Sequence, residues 1–206
     1  MRARRVKGLD PADSLADNAE RIVRTRLDEL YSFTPKALNP KKVKALHDMR
    51  IAAKRLRYIL EVTGFCFGAY ADTGLKRAKE LQELLGEIHD CDEMLPRVRE
   101  AQRGLRDQDA DALVALAADD DDLAPELGAK VKHAEAYGGL EVLAVWLEAR
   151  RTLLFERFLD RWKTLQRNHF RERLERALDE RRAPAEPDTE SLQRASDGQV
   201  SSSVPA

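Results

Sequence analysis

Four potential cations, His47, Arg50, Lys54 and Arg57, are the residues whose types and spacing best suit chemistry. At about 100° per residue their 3-4-3 spacing lines them up along one helix over roughly three turns. Displaced by one residue, Leu46, Met49, Ala53, Leu56 and Leu60 make the apolar seam of the same helix. From Lys41 to Tyr58, seven Lys or Arg face Asp48 alone, a local charge of +6 in a chain of net charge −1. Like charges one turn apart repel by about 0.2–0.5 kcal/mol per pair. Only Glu61 at the end of the stripe and Asp48 off to its side could relieve that repulsion. The pattern therefore suits an anionic ligand. Arg offers a planar bidentate fork and Lys a compact point charge, and the stripe uses both. Successive cations rise roughly 4.5–6 Å along the axis, which fits a linear polyanion better than one small phosphate.

More cations would widen this track. Lys41, Lys42 and Lys44 precede the stripe and Arg55 flanks it, while Lys76 and Lys79 project from the first turns of the following helix. Helix N-terminal amides there also favour anions. Farther along, Arg150, Arg157 and Arg161 fall within about 40° of one another and make a thinner cationic stripe. It is the candidate opposite wall.

The elements that must position these residues read as helices throughout. Leu, Ala, Arg and Glu dominate and β-branched residues are sparse, so the fold class expected is all-α, an antiparallel helical bundle. Residues 1–9 form a basic arm, residues 10–182 a helical domain and residues 183–206 a disordered tail rich in Pro, Ser, Asp and Gln. Asp10-Pro11 opens a first helix reaching about Tyr31, and Thr34 to Pro40 is a connector. The basic helix ends near Gly64, and Phe65 to Thr73 is a loop tucked against the core. A third helix starts near Asp72 or Thr73, is interrupted at 89–92, and is kinked or restarted by Pro96. A short helix then ends at Asp119 to Asp122, residues 119–139 are irregular, and a long helix runs from Leu140, with helical sequence to about Arg182. No strand is expected.

Composition narrows the function classes. Cys66 and Cys91 alone make no disulfide framework and point to a reducing compartment. No apolar run approaches the ~20 residues of a membrane span, and the basic N-terminus lacks an apolar segment after it. A cytoplasmic location is expected. His89-Asp90-Cys91-Asp92 cannot all face inward from one helix, and no second cluster accompanies them, so neither a metal nor a cofactor is expected. Seven aspartates without a base between Asp107 and Asp122 lack the glycine and final glutamate of an EF-hand and read as a solvated acidic loop. No nucleotide-binding or hydrolase fingerprint is present, so no enzyme is expected.

His47-Asp48-Met49-Arg50 followed by Lys54-Arg55-Leu56-Arg57-Tyr58 resembles the signature of the CHAD domain, the conserved-histidine α-helical domain. The run Leu81-Gln82-Glu83-Leu84-Leu85-Gly86-Glu87-Ile88-His89-Asp90 resembles that family's second signature, in the same order. The likeness is close over 44–95 and looser over 10–165. It implies two helical bundles around a basic groove, non-enzymatic binding of inorganic polyphosphate, and in some members association with polyphosphate granules. Carried over residue by residue, it implies His47, Arg50, Lys54, Arg55 and Arg57 as ligand-facing. Only one clear basic motif helix stands here, so the Arg150/Arg157/Arg161 helix or a second subunit, in a homodimer, would complete the groove. Two rival readings stay open. A cationic stripe also suits a nucleic-acid backbone, although base stacking would have only Tyr58. A histidine phosphotransfer bundle would place a Lys-Gly pair three to four residues after its histidine, whereas here Lys54 follows His47 seven residues on.

Overall fold

The computed structural model describes residues 2–117 and 122–181. Among them are six α-helices: α1 Leu15–Tyr31, α2 Thr34–Ala37, α3 Val43–Thr63, α4 Tyr70–Ala117, α5 Ala134–Arg167 and α6 Phe170–Asp179. No strand occurs among the described residues, and the lone β-bridge joins Phe67 to Arg181. The all-α expectation holds.

The start of α1 shows which cap wins a local competition. Asp10 spends its carboxylate on the Ala12 N–H at 2.9 Å, and its backbone exchanges hydrogen bonds with the Asn18 amide. Ser14 instead accepts the Asp17 N–H at 3.1 Å, so the helix begins at Leu15 and not at Asp10-Pro11. The expected connector at Thr34 to Pro40 holds the one-turn α2, with Pro35 in its first turn, where a missing N–H costs no helical bond.

α4 is the longest correction. Its 48 residues run without a break through His89 to Asp92 and through Pro96, starting at Tyr70. Proline removes one i→i−4 bond, and tertiary partners on both sides of it outweigh that loss. Cys91 and Val98 are buried, and the Asp92 carboxylate accepts from Arg151 of α5. The short helix expected before Asp119 is the end of α4. Residues 119–121 of the acidic run lie outside the described residues, as does the tail expected over 183–206.

α5 begins at Ala134, ahead of the expected Leu140, because Gly138 and Gly139 are carried inside it. Helical sequence does not continue unbroken to Arg182. Asn168 ends α5, and His169 turns the chain with a left-handed φ of 50° before α6. This turn folds α6 back on the start of the molecule.

Packing orders the helices as α1, α3, α4, α5, with α4 between α3 and α5 and α6 crossing back to α4 and α1. One continuous apolar cluster joins Val23, Leu27 and Leu30 of α1, Met49, Leu56 and Leu60 of α3, Leu81, Leu85 and Ile88 of α4, Phe158 and Trp162 of α5, and Phe170 and Leu174 of α6. The seam expected on α3 is buried at every position: Leu46, Met49, Ala53, Leu56 and Leu60. Its neighbouring cation stripe is thereby held at the rim of the core, facing α4.

Candidate functional site

α3 and α4 run antiparallel, and two contacts fix their register. Arg57 Nη1 donates to Gln82 Oε1 at 3.2 Å, and Nδ1 of His47 lies 3.3 Å from Nδ1 of His89. The rings of the two histidines stand 4.5 Å apart at their centroids, tilted by 53°. Between these contacts the register brings Gly86 of α4 level with Arg50 and Lys54. A Cβ at Gly86 would meet nothing within 4 Å, so packing does not demand the glycine, and its lack of a side chain leaves open space beside the stripe.

The cations differ in how far the protein already satisfies them. Arg50 is half-buried, and its Nε has no hydrogen-bond partner among the described residues. Lys54 is exposed, with its ammonium 5.5 Å from the centre of the Tyr58 ring. Arg57 also lies over that ring at 5.0 Å and pairs loosely with Glu61 at 3.4 Å. A buried N–H donor without an acceptor costs about 1–3 kcal/mol, so Arg50 points to an acceptor that the chain itself does not supply.

Burial holds the His47 imidazole below its ordinary pKa, the neighbouring His89 and Arg50 push the same way, and Asp48 opposes them. The lowered pKa favours the neutral imidazole at pH 7. His89 and Gln82 are residues that sequence reasoning did not assign to the site. Their signal was present: Lys79, Gln82, Gly86 and His89 recur at 3-4-3 spacing, which marks one face of α4.

The outer cations fall in three groups. Lys41, Lys42 and Lys76 are exposed, whereas Lys44 binds Asp48 at 2.7 Å and Lys79 reaches Glu83 at 4.0 Å. Arg55 turns the other way, to α1. It donates to Glu29 at 2.7 Å, and Glu29 also takes Arg26 at 2.8 Å and the Arg4 N–H at 3.4 Å. The Glu29 side chain is fully buried, so this cluster pins α3 to α1 and ties down the basic arm.

Arg150, Arg157 and Arg161 are not brought opposite the α3 stripe. Arg150 pairs with Glu87 at 2.5 Å and Arg161 with Glu80 at 2.9 Å, both on α4. Arg157 lines a cleft of about 520 Å³ with Glu80, Glu83, Glu87 and Asp160, where the signs are mixed. Glu80, Glu83 and Glu87 stand roughly 100–180° round α4 from Gln82 and His89, so α4 separates the two cationic stripes. Arg151, unassigned from sequence, bridges the helices by holding Asp92 at 2.5 Å and the Pro40 carbonyl at 2.8 Å.

Among the described residues no group of three or more His, Cys, Asp and Glu side chains is arranged to hold a metal, and no helix is long and apolar enough to cross a membrane. The site is a helix-borne line of donors beside the His47–His89 pair, in an all-helical frame.

Residues 2–99 match the family model of the CHAD domain, the family that the two sequence signatures resemble. The matched stretch takes in the basic arm, α1 to α3 and α4 as far as Arg99, and so contains the α3 stripe and the face of α4 that meets it. CHAD domains are associated in general with binding polyphosphate and triphosphate. No curated protein and no solved structure matches the chain.

Proposed function

We propose that this protein binds inorganic polyphosphate in the groove between α3 and α4, without catalysing a reaction on it. The observation that carries the reading is Arg50, a half-buried guanidinium with an unused Nε donor in the middle of the cation line. Arg50, Lys54 and Arg57 hold successive phosphates over the roughly 15 Å from His47 to Arg57. Gln82 steadies Arg57, Gly86 keeps the floor open, and His47 with His89 closes one end as a donor that gains charge when phosphate binds. Lys41, Lys42, Lys44, Lys76 and Lys79 extend the positive field. Arg55 supports the site through Glu29, and Arg150 and Arg161 belong to the α4–α5 contact. In the cell this binding would place the protein at polyphosphate, including granules of it.

A nucleic-acid backbone offers the same charges, but Tyr58, flanked by Lys54 and Arg57, is the one aromatic on the stripe for a base to stack on. Polyphosphate is therefore expected to displace mixed-sequence DNA and RNA at equal phosphate concentration. The deciding experiment is a titration of long-chain polyphosphate at several salt concentrations. Log affinity should fall linearly with log salt, and Arg50→Ala with Arg57→Ala should weaken binding more than about tenfold. Unchanged affinity in a fully helical double variant sinks the site.

A further inference from the structure

On the side of α5 away from its core seam lies a second apolar face. Val142, Trp146, Ala149 and Leu153 follow at 4-3-4 spacing, within about 60° of arc. Val142 is 70% exposed, Trp146 54% and Leu153 49%, with Val145 beside them at 56%. The seam α5 offers to α4, through Ala144, Leu147, Leu154 and Phe158, lies about 150° round the helix. A surface helix ordinarily carries polar residues opposite its core stripe. Here the spacing is that of the a and d positions of a two-helix contact.

The chain outside the described residues is a poor cover for it. Residues 182–206 contain Leu192, Val200 and Val204 as their only large aliphatic side chains and no aromatic. The face itself suits a copy of itself. We propose that two copies of this chain associate through α5, antiparallel, about a two-fold axis between residues 147 and 148.

In that register Trp146 lies against the partner's Ala149 and Val142 against the partner's Leu153, so each large side chain meets a smaller one. Glu156, the next residue of the seam, falls opposite the partner's Gly139. A parallel pairing in register would set Glu156 against its own copy, and would leave Ala149 facing itself beside two crowded tryptophans. Arg150 flanks the antiparallel seam next to the partner's Leu143, and Val145 next to the partner's Thr152, with no like charges opposed. Glu135 and the partner's Asp160 coincide only about 19 Å from the axis, where crossing helices have separated.

The area is sufficient. With Leu143, the exposed apolar side chains offer on the order of 500 Å² per copy. Homodimer interfaces are about 65% apolar, so this corresponds to roughly 750 Å² per side, against about 800 Å² for a standard interface. The α3 stripe plays no part, so the proposal stands or falls apart from polyphosphate binding.

Sedimentation equilibrium of the full chain over a wide range of protein concentration is the test. The expected result is a dimer whose dissociation constant rises at least ~100-fold in Trp146→Glu, with unchanged circular dichroism and unchanged polyphosphate affinity per chain. A wild-type monomer at every concentration overturns the proposal, as does a dimer indifferent to Trp146→Glu. Deleting residues 182–206 should leave the dimer as it is. If the deletion converts a monomer into a dimer, the face belongs to the chain's own tail. With Cys66→Ser in the background, Val142→Cys and Leu153→Cys together should cross-link two chains under a mild oxidant, while either alone should not. Cross-linking by the single variants overturns the antiparallel arrangement.

Discussion

Glu29→Ala should lower the stability of this protein by about 2–4 kcal/mol, although Glu29 touches no part of the proposed groove. The carboxylate is fully buried and accepts from Arg26 at 2.8 Å and Arg55 at 2.7 Å. Each such charge-assisted hydrogen bond contributes about 1.5–3 kcal/mol. Breaking a fully buried ion pair costs about 3–5 kcal/mol, because a charge is stranded away from water. Here the guanidiniums keep some access to solvent, at 13% and 25% side-chain exposure, and recover part of the loss. The measurement is urea unfolding followed by circular dichroism at constant slope. A cycle with Arg55→Met should show coupling above about 1 kcal/mol, and Arg55→Met should leave the salt slope of polyphosphate binding unchanged. A cost below about 1 kcal/mol for Glu29→Ala, or purely additive variants, refutes the argument. A salt slope reduced by about one returns Arg55 to the ligand set.

The His47 pKa is lowered by burial, then by His89 and Arg50, so the stability it contributes is full above the free-imidazole pKa of ~6.5 and is lost as pH falls through the lower folded value. His47→Gln should flatten thermal melts across that interval, and should abolish the rise in polyphosphate affinity expected of the wild type as pH falls. A Cβ at Gly74 would lie 2.8 Å from Leu174 Cδ1 in a buried contact, so Gly74→Ala should cost about 1–3 kcal/mol in denaturant unfolding. Gly86→Ala meets no neighbour, and should instead gain about 0.5–1 kcal/mol while weakening polyphosphate binding. Asp109 is buried and accepts from the Tyr137 hydroxyl and the His133 backbone N–H, with His133 Nδ1 2.8 Å from its other oxygen. Asp109→Asn should speed amide exchange across residues 105–137 at least ~10-fold and leave α3 unaffected.

The parts of the fold written in local pattern were legible. The seam of α3 and its cation stripe share one periodicity, and both stand as the spacing predicts. What was not legible depends on distant partners. Pro96 and the polar run before it look like breaks to any local rule, yet Cys91, Asp92 and Val98 have places in the packed structure that hold α4 straight through them. Arg55 looked like one more cation of the stripe because Glu29 lies 26 residues away on another helix. Likewise His89 sat in the quoted motif, but only the antiparallel register shows that its ring meets His47. The opposite wall failed for a related reason. Helical spacing shows that Arg150 and Arg161 share a face, but not that α4 acids occupy it.

The way α6 crosses back has a consequence for how the protein is made. Its Leu174 fills the space left by Gly74, the Ala177 carbonyl takes the Gly68 N–H at 3.0 Å, and Arg24 of α1 holds Asp179 at 2.5 Å. The segment matched to the family ends at residue 99, but its core is finished by side chains some seventy or more residues farther on. During synthesis the apolar positions that α6 covers, chiefly on α4, stay bare until that helix has left the ribosome. Closing so long a loop costs little extra in equilibrium terms, since the entropy grows only with the logarithm of length. It does lengthen the time for which the N-terminal core stays open to other chains.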